Sequence, residues 1–524
     1  MLIEFDHALF QLCKLVHEDG ATATLFELSP AQTQFIETVS FGPRSPLPYE
    51  LLHHAFEERA KQHPDVRAIE FEGAGLTYGE LNDLANTLAA ALCAMGVGVG
   101  CRVAVVMDRC LEFPLGLLSV LKSGASMVPL SSLIPRTRLE IVLRESDCNV
   151  VLCTVEASLD LSFWPSFCRI LPVNVGSLRI STNEFVPGQI RRSDEAYIVF
   201  TSGSTGKPKG VPVLHSSILN TIIHTGPRIG FSPGARALQF LSVSFDGFQG
   251  DMWQCLTHGA TMVLRGNNYE ETILNVDMIT CTPSTLATFG HPQQYQNLKF
   301  VHVAGETCPE QLKQKWSKYV RFFNLYGPSE CALMTHLQEL HIHSPITIGQ
   351  PISNTNAYIL DKNRNTLPVE FVGEIYLSGI CVSPGYINLP SQTEERFIPD
   401  PFVGGSQMMF RTGDLGRILP NGKFEVLGRK DNQVKLKGYR IELDEVAEAM
   451  LHHPQVVTAA AIVKDKTHLV GYFSPANVSS DELIEVVASR LPVYMVPAVW
   501  VGLDVMPQNA NGKIDKKALE ALDV

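Results

Sequence analysis

The chain of 524 residues is 45% hydrophobic and 18% charged, the balance of an ordinary water-soluble protein with enough apolar material for several cores, so more than one domain is expected. A formal net charge of −12 without any basic run gives no support to nucleic-acid binding. The 12 cysteines are scattered with no Cys-x-x-Cys pair or matched Cys/His set, which points to reduced thiols, no structural zinc and a cytoplasmic location.

In chain order, residues 1–48 read as a leader: an amphipathic piece whose acidic residues exclude a signal peptide, then a linker in the punctuating run Gly42–Pro48. No stretch of the chain reaches the apolar length of a membrane span. From Tyr49 the pattern puts Leu51, Leu52, Ala55, Phe56 and Ala60 on one helical face, stopped by Pro64. His53 and His54 fall side by side on that helix. No aspartate and glycine follow to make a condensation-type His-His site. Ala68–Phe71 and Leu76–Tyr78 read as a hairpin, followed by a helix over Gly79–Met95. Strands at Arg102–Met107, Ala125–Pro129 and Val150–Cys153 then alternate with helices at Leu111–Ser123 and Arg136–Ser146, the signature of a parallel sheet with crossovers.

The most informative stretch is Tyr197–Gly210, in which an apolar β-prone run breaks into Thr201-Ser-Gly-Ser-Thr-Gly-Lys-Pro-Lys-Gly. Glycines let backbone amides approach an anion, hydroxyls add donors and two lysines add charge, so the expected ligand is a polyphosphate. Pro208 after Lys207 rules out a Walker loop. A solvated Gly/Ser linker is the bland alternative, and the ordered approach with clustered lysines argues against it. The stretch resembles the phosphate loop of the adenylate-forming enzymes, which include acyl-CoA ligases, luciferases and the adenylation domains of nonribosomal peptide synthetases. Leu76-Thr-Tyr-Gly-Glu-Leu81 and Lys122–Leu130 match further motifs of that superfamily, with Ser131 standing where an aspartate is usual.

The resemblance implies a layered α/β fold, a large core domain over residues 49–430 and a small mobile α+β domain over 431–524. It places Thr201, Ser202, Gly203, Ser204, Thr205, Gly206 and Lys207 on the phosphates of ATP. It assigns Gly305, Glu306, Asn324, Tyr326, Gly327 and Ser329 to the nucleotide, Asp414 and Arg429 to the ribose, and Glu330 to magnesium. Taken alone, Tyr-Gly-Pro and Thr-Gly-Asp are ordinary turn compositions. Gly373–Gly379 and Pro384-Gly-Tyr386 match a structural motif that often carries an arginine where this chain has Pro384. The stretch Val426-Leu-Gly-Arg-Lys-Asp-Asn-Gln-Val-Lys-Leu-Lys-Gly-Tyr-Arg-Ile-Glu442 resembles the family's hinge with Asp431 as the hinge residue, although its dense charge also suits an exposed hairpin. A helix at Leu443–Leu451, strands around Val456–Val463 and Leu469–Phe473, and a helix at Ser480–Leu491 lead to the turn Asn509–Asp515. By resemblance its Lys513 reaches the substrate carboxylate and the adenylate, with Thr201, Lys207 and Glu330 completing the catalytic set. In the second step the small domain is expected to exchange Lys513 for the loop around Gly438.

On residues alone Asp246, between an apolar strand and a helix, is a helix cap or a turn. The family's peptide-synthetase branch places here the aspartate that pairs with a substrate α-amino group, so the resemblance favours an amino acid over a plain carboxylic acid. Side-chain pocket positions fall by motif on Gly247, Gly250, Thr280, His302, Ala304, Leu325, Leu333 and Met334, with Lys513 at the carboxylate end. Gly250, where relatives often carry an aromatic, implies an open pocket and a long side chain. An N-acyl-N-hydroxyornithine of a fungal siderophore pathway is the leading candidate and an aromatic amino acid the alternative. His302 and Thr280 either hydrogen-bond the substrate or are locally satisfied. The expected reaction is amino acid plus ATP giving aminoacyl-adenylate and pyrophosphate, then transfer to the phosphopantetheine of a carrier domain. The chain reads as one excised, monomeric module part beside a condensation domain. A free-standing acyl-CoA or aryl-acid ligase and a non-catalytic relic are the other readings.

Overall fold

The computed structural model describes residues 28–180, 188–203, 207–431, 433–465, 467–508 and 514–522. Two helix-flanked sheets and one antiparallel sheet make the large domain. The first sheet has six strands in the spatial order 169–173, 150–154, 102–106, 126–130, 195–201 and 209–214. Its first five strands run parallel and the last returns antiparallel. The parallel strands read as unbroken apolar runs because helices cover both faces: Val103 and Val105 face one side while Ala104 and Val106 pack into a separate cluster on the other. The second sheet has nine strands, six of them parallel in its centre (321–326, 300–304, 278–281, 236–239, 261–264, 67–71), with antiparallel strands at both edges.

The helix Tyr78–Ala94 starts where its cap dictates. Thr77 accepts from the Glu80 amide and Glu80 returns a bond to the Thr77 amide, so the motif around Tyr78 is a capping box. Tyr78 itself is buried, its hydroxyl donating to the carbonyls of Cys255 and Ala260. That ties the helix to the far sheet. The antiparallel sheet is built from 355–360, 373–379, 408–418, 397–399 and 424–429. In the small domain a hairpin of Gln433–Leu436 and Tyr439–Glu442 precedes a sheet of Thr458–Lys464, His468–Ser474 and Val499–Gly502. The helices Leu443–Leu451 and Ser480–Ala488 bury Val446, Met450, Leu483 and Val487 on it.

The described part of the expected leader and linker is instead docked structure. Pro30–Ser40 is a helix with a Ser29/Gln32 capping box and a proline in its first turn. Its Ile36 and Val39 join the core of the antiparallel sheet. Gly42 donates to the Thr355 carbonyl at 2.8 Å and Asn354 to the Pro43 carbonyl at 2.9 Å, so the punctuating run is pinned rather than free.

Candidate active site

The phosphate stretch is a hairpin. Glu195–Thr201 runs into the loop and Lys209–Leu214 returns beside it, with Thr201 opposite Lys209. A Cβ on Gly203 would stand 1.8 Å from the Lys207 carbonyl oxygen, so this turn closes only with glycine. Thr201 is buried and its Oγ1 has no hydrogen-bond partner among the described residues, a polar atom left for a ligand. Ser204, Thr205 and Gly206 lie outside the described residues, as does Lys513. Lys207 is exposed. Lys209, the second lysine of the stretch, is buried with its ammonium 5.4 Å from the centre of the Tyr386 ring.

Residues expected around a nucleotide come together where the ends of strands 300–304 and 321–326 of the nine-stranded sheet meet strands 408–418 and 424–429 of the antiparallel sheet. Tyr326 donates through its hydroxyl to Asp414 Oδ2 at 2.7 Å, and Arg429 Nη1 donates to Asp414 Oδ1 at 2.6 Å. Arg429 also grips Asp431 with two bonds of 2.7 and 2.8 Å, and Arg396 reaches the same carboxylate at 3.4 Å. The expected hinge residue is therefore braced from both sides. Asn324 is buried and spends its amide on the Thr347 carbonyl at 3.0 Å. Glu306 follows the strand Phe300–Ala304 and Gly305; it accepts from Ser284 Oγ at 2.6 Å and from the Gly438 amide at 2.6 Å.

Glu330 is fully buried, and both of its oxygens are engaged: Oε1 by the Tyr386 hydroxyl at 2.7 Å, Oε2 by Arg440 Nη1 at 2.8 Å. Burial alone would push this carboxyl up, but the adjoining guanidinium overrides it and holds it down at about 2. Arg440 comes from the small-domain hairpin, whose Gly438 lies against Gly305 and Glu306. The hairpin is thus seated on the site. Tyr439 and Tyr494 stack at 3.9 Å and close against Phe245, the residue before Asp246. Arg440 and Tyr386 escaped the sequence reading; each sat inside a quoted motif, but nothing local shows that both converge on Glu330.

Asp246 begins the helix Asp246–His258 and receives the Ser329 hydroxyl at 2.5 Å. Burial raises its carboxyl while that bond pulls it back. Of the residues expected to outline a side-chain recess, Asp246, Gly247, Ala304, Leu325 and Leu333 keep solvent-accessible surface, whereas Gly250, Thr280, His302 and Met334 are buried. The open space expected at Gly250 is not there. A Cβ on Gly250 would meet Leu333 Cδ2 at 2.6 Å, and one on Gly247 would meet Leu241 Cδ1 at 2.4 Å, so leucine methyls occupy what the glycines leave. Ala332 and Leu333 aim that side chain from left-handed φ values of 51° and 76°. His302 is locally satisfied, with Nδ1 3.2 Å from Thr280 Oγ1 and Nε2 2.8 Å from the Ile229 carbonyl, and burial pulls its imidazole down to about 4. His53, buried against His54 and His215 in the large domain's helices, takes no part in this assembly.

The profile of the family described as AMP-binding enzyme matches residues 56–387, and that of its C-terminal domain matches 445–513. The chain belongs to the AMP-binding enzymes. Among curated relatives, adenylate-forming reductase 03009 of Coprinopsis cinerea is 37% identical over 506 residues, covering 95% of this chain and 49% of its own length. Nonribosomal peptide synthetase sirP of Leptosphaeria maculans is 36% identical over 92% of this chain and 22% of its own length. The chain therefore spans about half the length of the reductase and a smaller share of the synthetase. Two solved structures share the fold: an artificially fused adenylation–PCP di-domain from Klebsiella oxytoca, with TM-score 0.77, 24% identity and coverage of 86% of this chain and 94% of its own; and the Vibrio cholerae adenylation domain AlmE in complex with glycyl-adenosine-5'-phosphate, with TM-score 0.79, 21% identity and coverage of 91% and 98%. The cysteines among the described residues are free thiols, and no described helix is long and apolar enough to cross a membrane.

Proposed function

We propose that this AMP-binding enzyme activates an α-amino acid with ATP and passes it to a phosphopantetheine thiol on a carrier domain. Asp246 carries the reading: a carboxylate held by the hydroxyl of Ser329, the neighbour of Glu330 in the chain, is an acceptor for a substrate ammonium. A plain acid ligase has no use for it. The substrate carboxylate attacks the α-phosphorus of ATP, the P–O bond to pyrophosphate breaks, and no side chain has to become a nucleophile. Gly203 and the loop hydroxyls orient the phosphates, Asp414 accepts from the ribose, and Lys207 and Lys513 oppose the charge. Magnesium would take oxygens from the Thr201 hydroxyl, which has no partner among the described residues, and from Glu330 once Arg440 withdraws with its hairpin. When bound, the ion neutralises phosphate charge.

With Leu333 over Gly250, the recess suits a compact apolar side chain; N-acyl-N-hydroxyornithine fits only if that leucine turns away. The name of the Coprinopsis relative pairs adenylate formation with reduction, and the synthetases named above assemble peptides, so adenylation and thiol loading are the steps proposed here. A condensation domain as neighbour and a monomeric state belong to the same proposal. Amino-acid-dependent exchange of labelled pyrophosphate into ATP tests it. Exchange driven by carboxylic acids that lack the amine, or no exchange with any substrate, tells against it.

A further inference from the structure

The small domain reaches into the phosphate loop with an acid. Glu445, in the first turn of the helix Leu443–Leu451, has a fully buried side chain. Its Oε2 accepts the backbone N–H of Gly203 at 3.0 Å, and its Oε1 accepts Arg138 Nη1 at 2.7 Å. Arg138 belongs to the large domain and is itself only 8% exposed. Beside them the Ser202 hydroxyl donates to the Arg440 carbonyl at 2.9 Å. The Gly203 amide is presented by a turn that excludes a side chain, the arrangement of a backbone anion cradle. A carboxylate in such a cradle, flanked by a guanidinium, meets the same donors as a phosphate oxygen. A buried ion pair is weak evidence for a stabilising role, so its position on this particular amide calls for a functional account.

We propose that Glu445 stands in for a phosphate: docking of the small domain and retention of pyrophosphate compete for the Gly203 amide, and Arg138 is the positioning residue that holds Glu445 there. The inference rests on reading residues 197–210 as the phosphate loop. It makes the first product the gate for the second step. While pyrophosphate occupies the loop, Glu445 is shut out from the Gly203 amide, and once it leaves, the acid takes its place. The energy of docking then appears as a reduction in apparent pyrophosphate affinity, because only the undocked fraction is competent to bind.

The test is binding of inorganic pyrophosphate to the full chain by calorimetry, with hydrogen exchange of the 433–445 backbone as a second readout. Glu445→Ala is expected to bind pyrophosphate at least tenfold more tightly than the wild type, and Arg138→Met to shift the same way by a smaller factor. A substitution that merely loosened the fold would weaken the ligand, not tighten it. In the wild type, pyrophosphate is expected to raise exchange across 433–445. Unchanged or weaker binding in Glu445→Ala, or in Arg138→Met where the alanine variant does not fold, overturns the proposal, as does exchange that ignores pyrophosphate. If neither wild type nor variants bind pyrophosphate, the phosphate-loop reading fails, and this proposal with it.

Discussion

Replacing Arg440 with methionine removes a cation and keeps most of the side chain's volume. With the hairpin seated, Glu330 would stay enclosed with one neutral donor, the Tyr386 hydroxyl at 2.7 Å, having lost the guanidinium at 2.8 Å. Removing one partner of a buried ion pair costs about 3–5 kcal/mol. The Arg440 side chain keeps 20% of its exposure, which favours the lower end. At 1.4 kcal/mol per tenfold, about 3 kcal/mol is roughly a hundredfold. The cost falls on the docked arrangement alone, since Arg440 belongs to the small-domain hairpin and Glu330 to the large domain. The bonds from Ser202 to the Arg440 carbonyl and from the Gly438 amide to Glu306 use backbone atoms of the hairpin and survive the change. The expected result is transfer from preformed adenylate to a pantetheine thiol slowed about a hundredfold, with pyrophosphate exchange within about threefold of wild type. Equal losses in both assays, or unimpaired transfer, would refute the reasoning.

Asp246→Ala should raise the KM for the amino acid about a hundredfold, from the roughly 2–5 kcal/mol attached to truncating one partner of a buried charge pair. A fall in kcat alone would contradict that role. Lys513→Ala is expected to abolish adenylate formation while sparing thiol transfer from preformed adenylate, read by running the two assays separately. Gly203→Ala should cost more than tenfold in ATP affinity, because its Cβ has a carbonyl oxygen 1.8 Å away, with little change in Tm. Leu333→Ala should shift preference toward longer side chains in a competition panel, at about 1–2 kcal/mol in stability for a half-buried leucine. An unchanged ranking would show that Leu333 does not limit the recess.

What the sequence made legible is local. The capping residues Thr77 and Glu80 set the start of a helix, apolar runs bounded by turn residues set the parallel strands, and the glycines and hydroxyls after Phe200 mark an anion loop. Contacts between distant segments were not legible. Residues 30–40 carry an ordinary amphipathic pattern, and only the folded antiparallel sheet shows what Ile36 and Val39 cover. Arg440 lay in a charged run that reads equally well as a solvated hairpin, and its meeting with Glu330 spans 110 residues. Gly250 looked like a void because a missing side chain can be counted in a sequence, whereas Leu333 reaching back over it depends on two left-handed residues that no propensity favours.

Because the phosphate loop joins the two strands of a β-hairpin, the chain leaving it runs along a strand and not into a helix. Among the described residues the next helix begins at His215, beyond the six-residue returning strand and so about 20 Å from the tip. The half-charge that a helix N-terminus lends to many nucleotide sites fades within a single turn and does not reach this far. The helix Leu443–Leu451 that docks beside Gly203 brings the Glu445 carboxylate there, so positive charge opposite the phosphates has to come from lysine side chains and backbone amides such as that of Gly203. Exposed ammonium groups are screened over about 8 Å at physiological ionic strength, whereas a fixed peptide dipole in a dry cleft is screened much less. ATP affinity in this enzyme should therefore follow salt concentration more steeply than in nucleotide sites capped by a helix.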